Sequence, residues 1–158
     1  MEQNLTLELM KNCALASGYV AVGLAAIGSA LGAGAAGQAA IGAWRKCYQQ
    51  EKSAPFLLLA MVGAPLSQTI YAMIMMIIIK GKVLAENANP ALMPVYIAVG
   101  ILGGIALMIS AIYQGKAAAG GSVAFAESNQ GFANYLMVLG IIETCAIFAL
   151  IFSFMVMP

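Results

Sequence analysis

The sequence predicts an all-α integral membrane protein, with four transmembrane helices arranged as two tandem helical hairpins. Three observations predict it. Of the 158 residues, 63% are hydrophobic and 8% are charged, a balance foreign to water-soluble domains. Four apolar stretches, approximately 14–44, 54–79, 91–125 and 131–158, each exceed the ~20 residues a helix needs to cross a bilayer. These runs are long and continuous, without the two-residue alternation of barrel strands, and a helix satisfies its backbone polar groups within its own segment. Residues 1–158 are expected to form a single membrane domain in the lipid bilayer, with hairpin one at about 13–80 and hairpin two at about 90–158.

Span one is expected to stay in the mature protein. It is far longer than the ~7–15-residue apolar core of a cleavable signal, and it is preceded by Glu2 and Glu8 against one basic residue, Lys11. It is dense in small residues: Gly28 and Gly32 form a GxxxG, extended by Ala33, Gly34, Ala36, Gly37, Ala40 and Gly42. Span three adds Gly103, Gly104, Ser110, Ala111, Gly115, Ala119 and Gly120. Such surfaces let backbones approach closely in lipid, either between many copies packed side by side or within one chain. Spans two and four are bulkier, with MIMMIII at 73–79 and IFALIFSFMVM at 147–157, and are expected to be lipid-facing walls.

Four spans place both ends on one side together with the 79–90 connection, which holds Lys80, Lys82 and Glu86. The other side carries Arg45, Lys46, Lys52 and Lys116, with Glu51 and Glu127. With Lys11 counted, the basic residues divide four to three. The positive-inside rule then puts loops 44–55 and 125–131 in the cytoplasm by a margin of one residue, which leaves the reverse orientation open. A net charge of +1 and basic residues scattered over several loops argue against nucleic acid as a partner. Cys13, Cys47 and Cys145 are odd in number and widely spaced, so they imply neither a disulfide framework nor a metal site. Cys145 is expected to be a small buried hydrophobe.

The hairpins look duplicated. SALGAGAAG at 29–37 lies over SAIYQGKAA at 110–118, matching Ser29, Ala30, Gly34 and Ala36 to Ser110, Ala111, Gly115 and Ala117 at an offset of 81. GAPLSQTIYA at 63–72 lies over VLGIIETCAI at 138–147 at an offset of 75, which pairs Gln68 with Glu143. The difference fits a first loop, WRKCYQQEKSAP at 44–55, longer than the second, FAESNQG at 125–131. Two fused hairpins in the same orientation would result, although shared Ala and Gly content also aligns apolar helices.

Glu143 is the only acidic residue inside span four. An ionised carboxylate at mid-bilayer costs about 2.5–3.5 kcal/mol on insertion scales, so it marks an ion or proton path or, alternatively, polar glue between helices. Gln114 and Glu143 stand ~14–15 residues, or ~22 Å of helix, on either side of the turn near 128–129, and Ser67 and Gln68 enter span two to a comparable depth. One hydroxyl, two amides and one carboxylate are thus expected to converge. Pro65 lacks an N–H and disturbs the preceding turn, which frees carbonyls between Met61 and Ala64. Oxygens with a single negative charge, and no His or thiolate among them, suit a hard monovalent cation better than a transition metal. Tyr71, three residues after Gln68, can donate its O–H to Glu143, whereas Lys116 is expected to snorkel toward the loop side.

PLSQTIY at 65–71, AIYQGKAAAGG at 111–121 and IIETCAI at 141–147 together resemble the duplicated proteolipid of the membrane rotor ring of bacterial V-type ATPases, in its sodium-pumping branch. The resemblance covers essentially the whole chain. It implies a ring of identical four-helix subunits in the cell (plasma) membrane, spans one and three inside and spans two and four outside. It also implies a stator subunit with an essential arginine, and a central stalk contacting the loop with Arg45 and Lys46. Na+ would be held by the Ala64 carbonyl, the Ser67 hydroxyl, the Gln68 and Gln114 amides and the Glu143 carboxylate, with Tyr71 locking Glu143. The family often has Thr at the position of Ser67 and Leu at that of Ala64; both departures keep the donor oxygen. The chain would not be an enzyme by itself: GAGAAGQ at 32–38 lacks the Lys-Ser/Thr ending of a phosphate loop. Three rivals remain: the same ring carrying H+, a small four-helix transporter using Glu143 in alternating access, and a structural protein in which Glu143 is glue.

Overall fold

In the computed structural model, residues 2–157 are described; Met1 and Pro158, the ends of the expected domain, lie outside them. Five α-helices follow in order: α1 (Glu2–Gln49), α2 (Leu58–Gly63), α3 (Ser67–Val83), α4 (Met93–Ser128) and α5 (Phe132–Val156). The short 3-10 turn Ala64–Leu66 joins α2 to α3 into one membrane span, and a second one, Pro90–Leu92, leads into α4. Four helices are long and apolar enough to cross a membrane, and no strand occurs among the described residues.

Helix ends differ from the apolar ends expected above. α1 starts at Glu2 and reaches Gln49, not 14–44, and its 48 residues span about 70 Å at 1.5 Å per residue. It outreaches a hydrocarbon layer of about 30 Å. Hydropathy marks where lipid begins, but polar Asn4, Glu8, Arg45 and Lys46 are compatible with helix, so the backbone ladder continues through them. Span two starts later, at Leu58, after a turn through Phe56 and Leu57. The α4–α5 turn is closed by two left-handed residues, Asn129 (φ 53°) and Gly131 (φ 79°), with the Phe125 and Phe132 rings in contact at 5.3 Å.

α1 and α4 form the central pair and run parallel in near-constant register. The Ser17 hydroxyl approaches the Tyr96 carbonyl at 3.1 Å, the Cys47 thiol points to the Ala126 carbonyl at 3.9 Å, and Lys46 pairs with Glu127 at 2.6 Å. The sequence separations are 79, 79 and 81 residues, close to the offset of 81 read from the duplicated segments. The two hairpins therefore point the same way. α3 packs on α1, and α5, the least buried span, packs on α4 and α3.

Glycine makes the central contact possible. A Cβ on Gly115 would fall on the backbone of Gly32, and one on Gly32 would fall on the Ala111 carbonyl. Gly28 meets the backbone at Met108, Gly100 meets Ser17, and Gly104 meets Ala21. Much of the small-residue surface is thus used between α1 and α4 of one chain. Gly23, Gly34, Gly42 and Gly120 have nothing within 4 Å.

Packing divides the interior into two apolar clusters. One is built on Ala21, Met75, Met93, Leu107 and Leu150, the other on Ala40, Leu58, Met61, Ala118 and Leu139. Every span passes from one cluster to the other through a polar layer, which contains buried Ser29, Gln68, Ser110 and Gln114.

Candidate functional site

The polar layer begins where Pro65 interrupts span two. Pro65 is fully buried in the 3-10 turn Ala64–Leu66, and a Cβ on Gly32 would lie 3.0 Å from its ring. The tightened turn directs Ser67 back along the helix: its hydroxyl stands 3.1 Å from the Ala64 carbonyl and 3.2 Å from Gln68 Oε1. The Ala64 carbonyl also accepts the Ser67 backbone N–H. One hydroxyl proton thus stands between two acceptors. When it is on Ala64, Gln68 Oε1 is left with its lone pairs free.

Gln68 carries the network across to the second hairpin. Its Nε2 donates to Gln114 Oε1 at 2.9 Å and to Ser110 Oγ at 3.4 Å. Gln114 Nε2 in turn donates to the Leu139 carbonyl at 3.1 Å and to Glu143 Oε2 at 3.3 Å. The other carboxylate oxygen, Oε1, accepts the Tyr71 hydroxyl at 2.6 Å. Gln68 and Gln114 are 0% exposed, whereas Glu143 and Tyr71 are half-buried. Among the described residues no buried side-chain polar atom lacks a partner.

All the residues singled out above are brought together: Ala64, Ser67, Gln68, Gln114, Glu143 and Tyr71 form one continuous hydrogen-bonded chain beside Pro65. The equal depth argued for Gln114 and Glu143 holds, since their side chains touch. Lys116 does not pair with Glu143; its ammonium lies over the Tyr113 ring, 4.8 Å from the centroid. Cys145 corrects an expectation, because it is exposed and not buried. It follows Glu143 by two residues, and on a helix that spacing turns it away from the side Glu143 shares with α3 and α4. Among the described residues no three His, Cys, Asp or Glu side chains are grouped as metal ligands.

Other groups join the site beyond those the sequence assigns to it. Ser110 sits one helical turn before Gln114, an i,i+4 spacing that puts both on one face and was the available signal. The Leu139 and Ile142 carbonyls accept from Gln114 and Ser110, and main-chain groups leave no mark in a sequence. Thr69 and Ser29 form a further hydroxyl pair at 2.8 Å, on the first-hairpin side of the layer.

The family model for the ATP synthase C subunit matches residues 97–156. The match takes in most of α4 and all of α5, including Gln114 and Glu143, and covers less than half of the chain. Hairpin two thus carries a domain of the ATP synthase C-subunit family. No curated protein matches the chain.

Proposed function

We propose that this chain is the ion-carrying subunit of the membrane rotor ring of a V-type ATPase, and that its cargo is Na+. One observation carries the choice of ion: Ala64 O, Ser67 Oγ and Gln68 Oε1 crowd together with a single side-chain proton among them, in a network whose only charge is Glu143. Surplus oxygen acceptors around one carboxylate suit a hard monovalent cation, which neutralises the charge. Carrying a proton alone needs the carboxylate and no such set of oxygens.

Ala64, Ser67, Gln68, Gln114 and Glu143 would contribute the oxygens, and Tyr71 would hold the carboxylate in place. The neutral, closed site crosses lipid at low cost on a turning ring of identical subunits, and a stator arginine displaces the ion. The chain is a non-catalytic subunit, and ATP hydrolysis belongs to other subunits. Each chain brings one ionisable site, since Gln68 stands where the duplication would put a second carboxylate. Loops 44–55 and 125–131 lie on one side, joined by the Lys46–Glu127 pair, and would face the cytoplasm and the central stalk from the cell membrane.

The test is carbodiimide labelling of Glu143 in the isolated protein, with and without Na+ at several fixed pH values. Protection by Na+ at constant pH is expected. Labelling indifferent to Na+ would replace the cation by a proton in the same ring. A native mass limited to monomers or dimers in mild detergent would refute the ring itself.

A further inference from the structure

We infer that Ser110, which contributes no oxygen to the proposed cation site, is a positioning residue that sets which way the Gln68 amide faces. The inference rests on the sodium reading above.

The direction of the hydrogen bonds carries the argument. Ser110 Oγ has one proton, and it donates that proton to the Ile142 carbonyl at 3.2 Å. Toward Gln68, 3.4 Å away, it can then only accept. A group that only accepts selects the amide nitrogen and repels the amide oxygen. Gln68 Nε2 has two hydrogens; one goes to Gln114 Oε1 and the other to Ser110. With the nitrogen held on α4, Gln68 Oε1 is turned back to Ser67 and the Ala64 turn. Gln68 is 0% exposed, so water cannot substitute for a missing acceptor at ordinary cost.

The same hydroxyl ties two helices to the site. Ile142 immediately precedes Glu143, so Ser110 joins the backbone carrying the carboxylate to the side chain carrying an amide oxygen. The counterpart in hairpin one behaves otherwise: Ser29, which aligns with Ser110, accepts from Thr69 and not from a glutamine. The contact to Gln68 therefore belongs to the site and is not a by-product of the repeated helix.

The experiment measures the Na+ concentration that half-protects Glu143 from carbodiimide, at fixed pH, in wild type, Ser110→Ala, Ser110→Cys and Ser110→Thr. Groups that orient ligands from outside the coordination sphere typically change ion affinity about 10–100-fold when removed, so half-protection in Ser110→Ala is expected at roughly tenfold more Na+. Ser110→Cys keeps the volume, loses the strong hydroxyl and is expected to follow Ala, which keeps the test valid if the alanine variant folds poorly. Ser110→Thr retains the hydroxyl and is expected to restore protection. In a Gln68→Ala background the Ser110→Ala effect is expected to vanish, because nothing is left to orient. Wild-type labelling that ignores Na+ would sink the sodium reading and this inference with it. Na+ protection in wild type that is unchanged in both Ser110→Ala and Ser110→Cys would overturn the inference alone. So would an undiminished Ser110→Ala effect in the Gln68→Ala background.

Discussion

Adding one methyl group at Gly115 tests the central α1–α4 contact on which the site is built. A Cβ there meets Cα, C and O of Gly32, all backbone, so neither neighbour can rotate out of the way and the helices must separate. Overpacking typically costs about 1–3 kcal/mol, and backbone on the facing side puts Gly115→Ala at the upper end, about 3. Replacing glycine by alanine inside a helix returns about 1 kcal/mol, so the net loss is about 2 kcal/mol. Gly120 is the control on the same helix: nothing lies within 4 Å of its Cβ position, so Gly120→Ala keeps only the gain of about 1 kcal/mol. The two variants should differ by about 3 kcal/mol, or ~6–12 °C in melting midpoint for a chain of this size. Thermal unfolding in mild detergent, followed by far-ultraviolet circular dichroism, measures it. Because Gln114 is the neighbouring residue, Na+ protection of Glu143 should weaken in Gly115→Ala as well. Equal midpoints for the two variants would refute the backbone contact and the helix register drawn from it.

Gln114→Leu takes one hydrogen-bond partner each from Gln68 and Glu143 and removes one proposed oxygen; the Na+ concentration for half-protection from carbodiimide should rise about 10–100-fold, with helical content unchanged. Tyr71→Phe removes the 2.6 Å bond to Glu143 Oε1. A hydrogen bond to a charged group contributes about 1.5–3 kcal/mol, so labelling of Glu143 in Na+-free buffer at fixed pH should accelerate about tenfold or more, and an unchanged rate would show that the phenol does not hold the carboxylate. Lys46→Ala, by contrast, should leave the melting midpoint unchanged within error at physiological salt, because both partners of the Lys46–Glu127 pair are more than half exposed. A salt-insensitive loss there would mean that the pair is shielded in the assembled protein.

How much was legible beforehand differs from residue to residue. Glu143 was legible because charge is costly in lipid, and its depth could be matched to Gln114 by counting residues from the turn. The parallel order of the hairpins was legible too: the repeat offset in the sequence reappears as the spacing between α1 and α4. Helix ends were not, since hydropathy reports contact with lipid and polar residues such as Glu8 and Lys46 continue a helix freely. Cys145 was misjudged because a residue type has an average burial, and position on the least buried helix overrode that average. Ser110 was noticed only as a small residue in a repeat. Its role depends on where its one proton goes, and that is decided by the Ile142 carbonyl of another helix.

By itself the sequence determined the solvent, the number of spans, the repeat and the identity of the polar residues, because each follows from transfer energy or from spacing along one chain. Tertiary structure alone decided which glycines serve the α1–α4 contact and which stay open, and how the amides face. Those depend on helix rotation and hydrogen-bond direction between segments far apart in the chain, such as Gln68 and Gln114, and no local pattern encodes them.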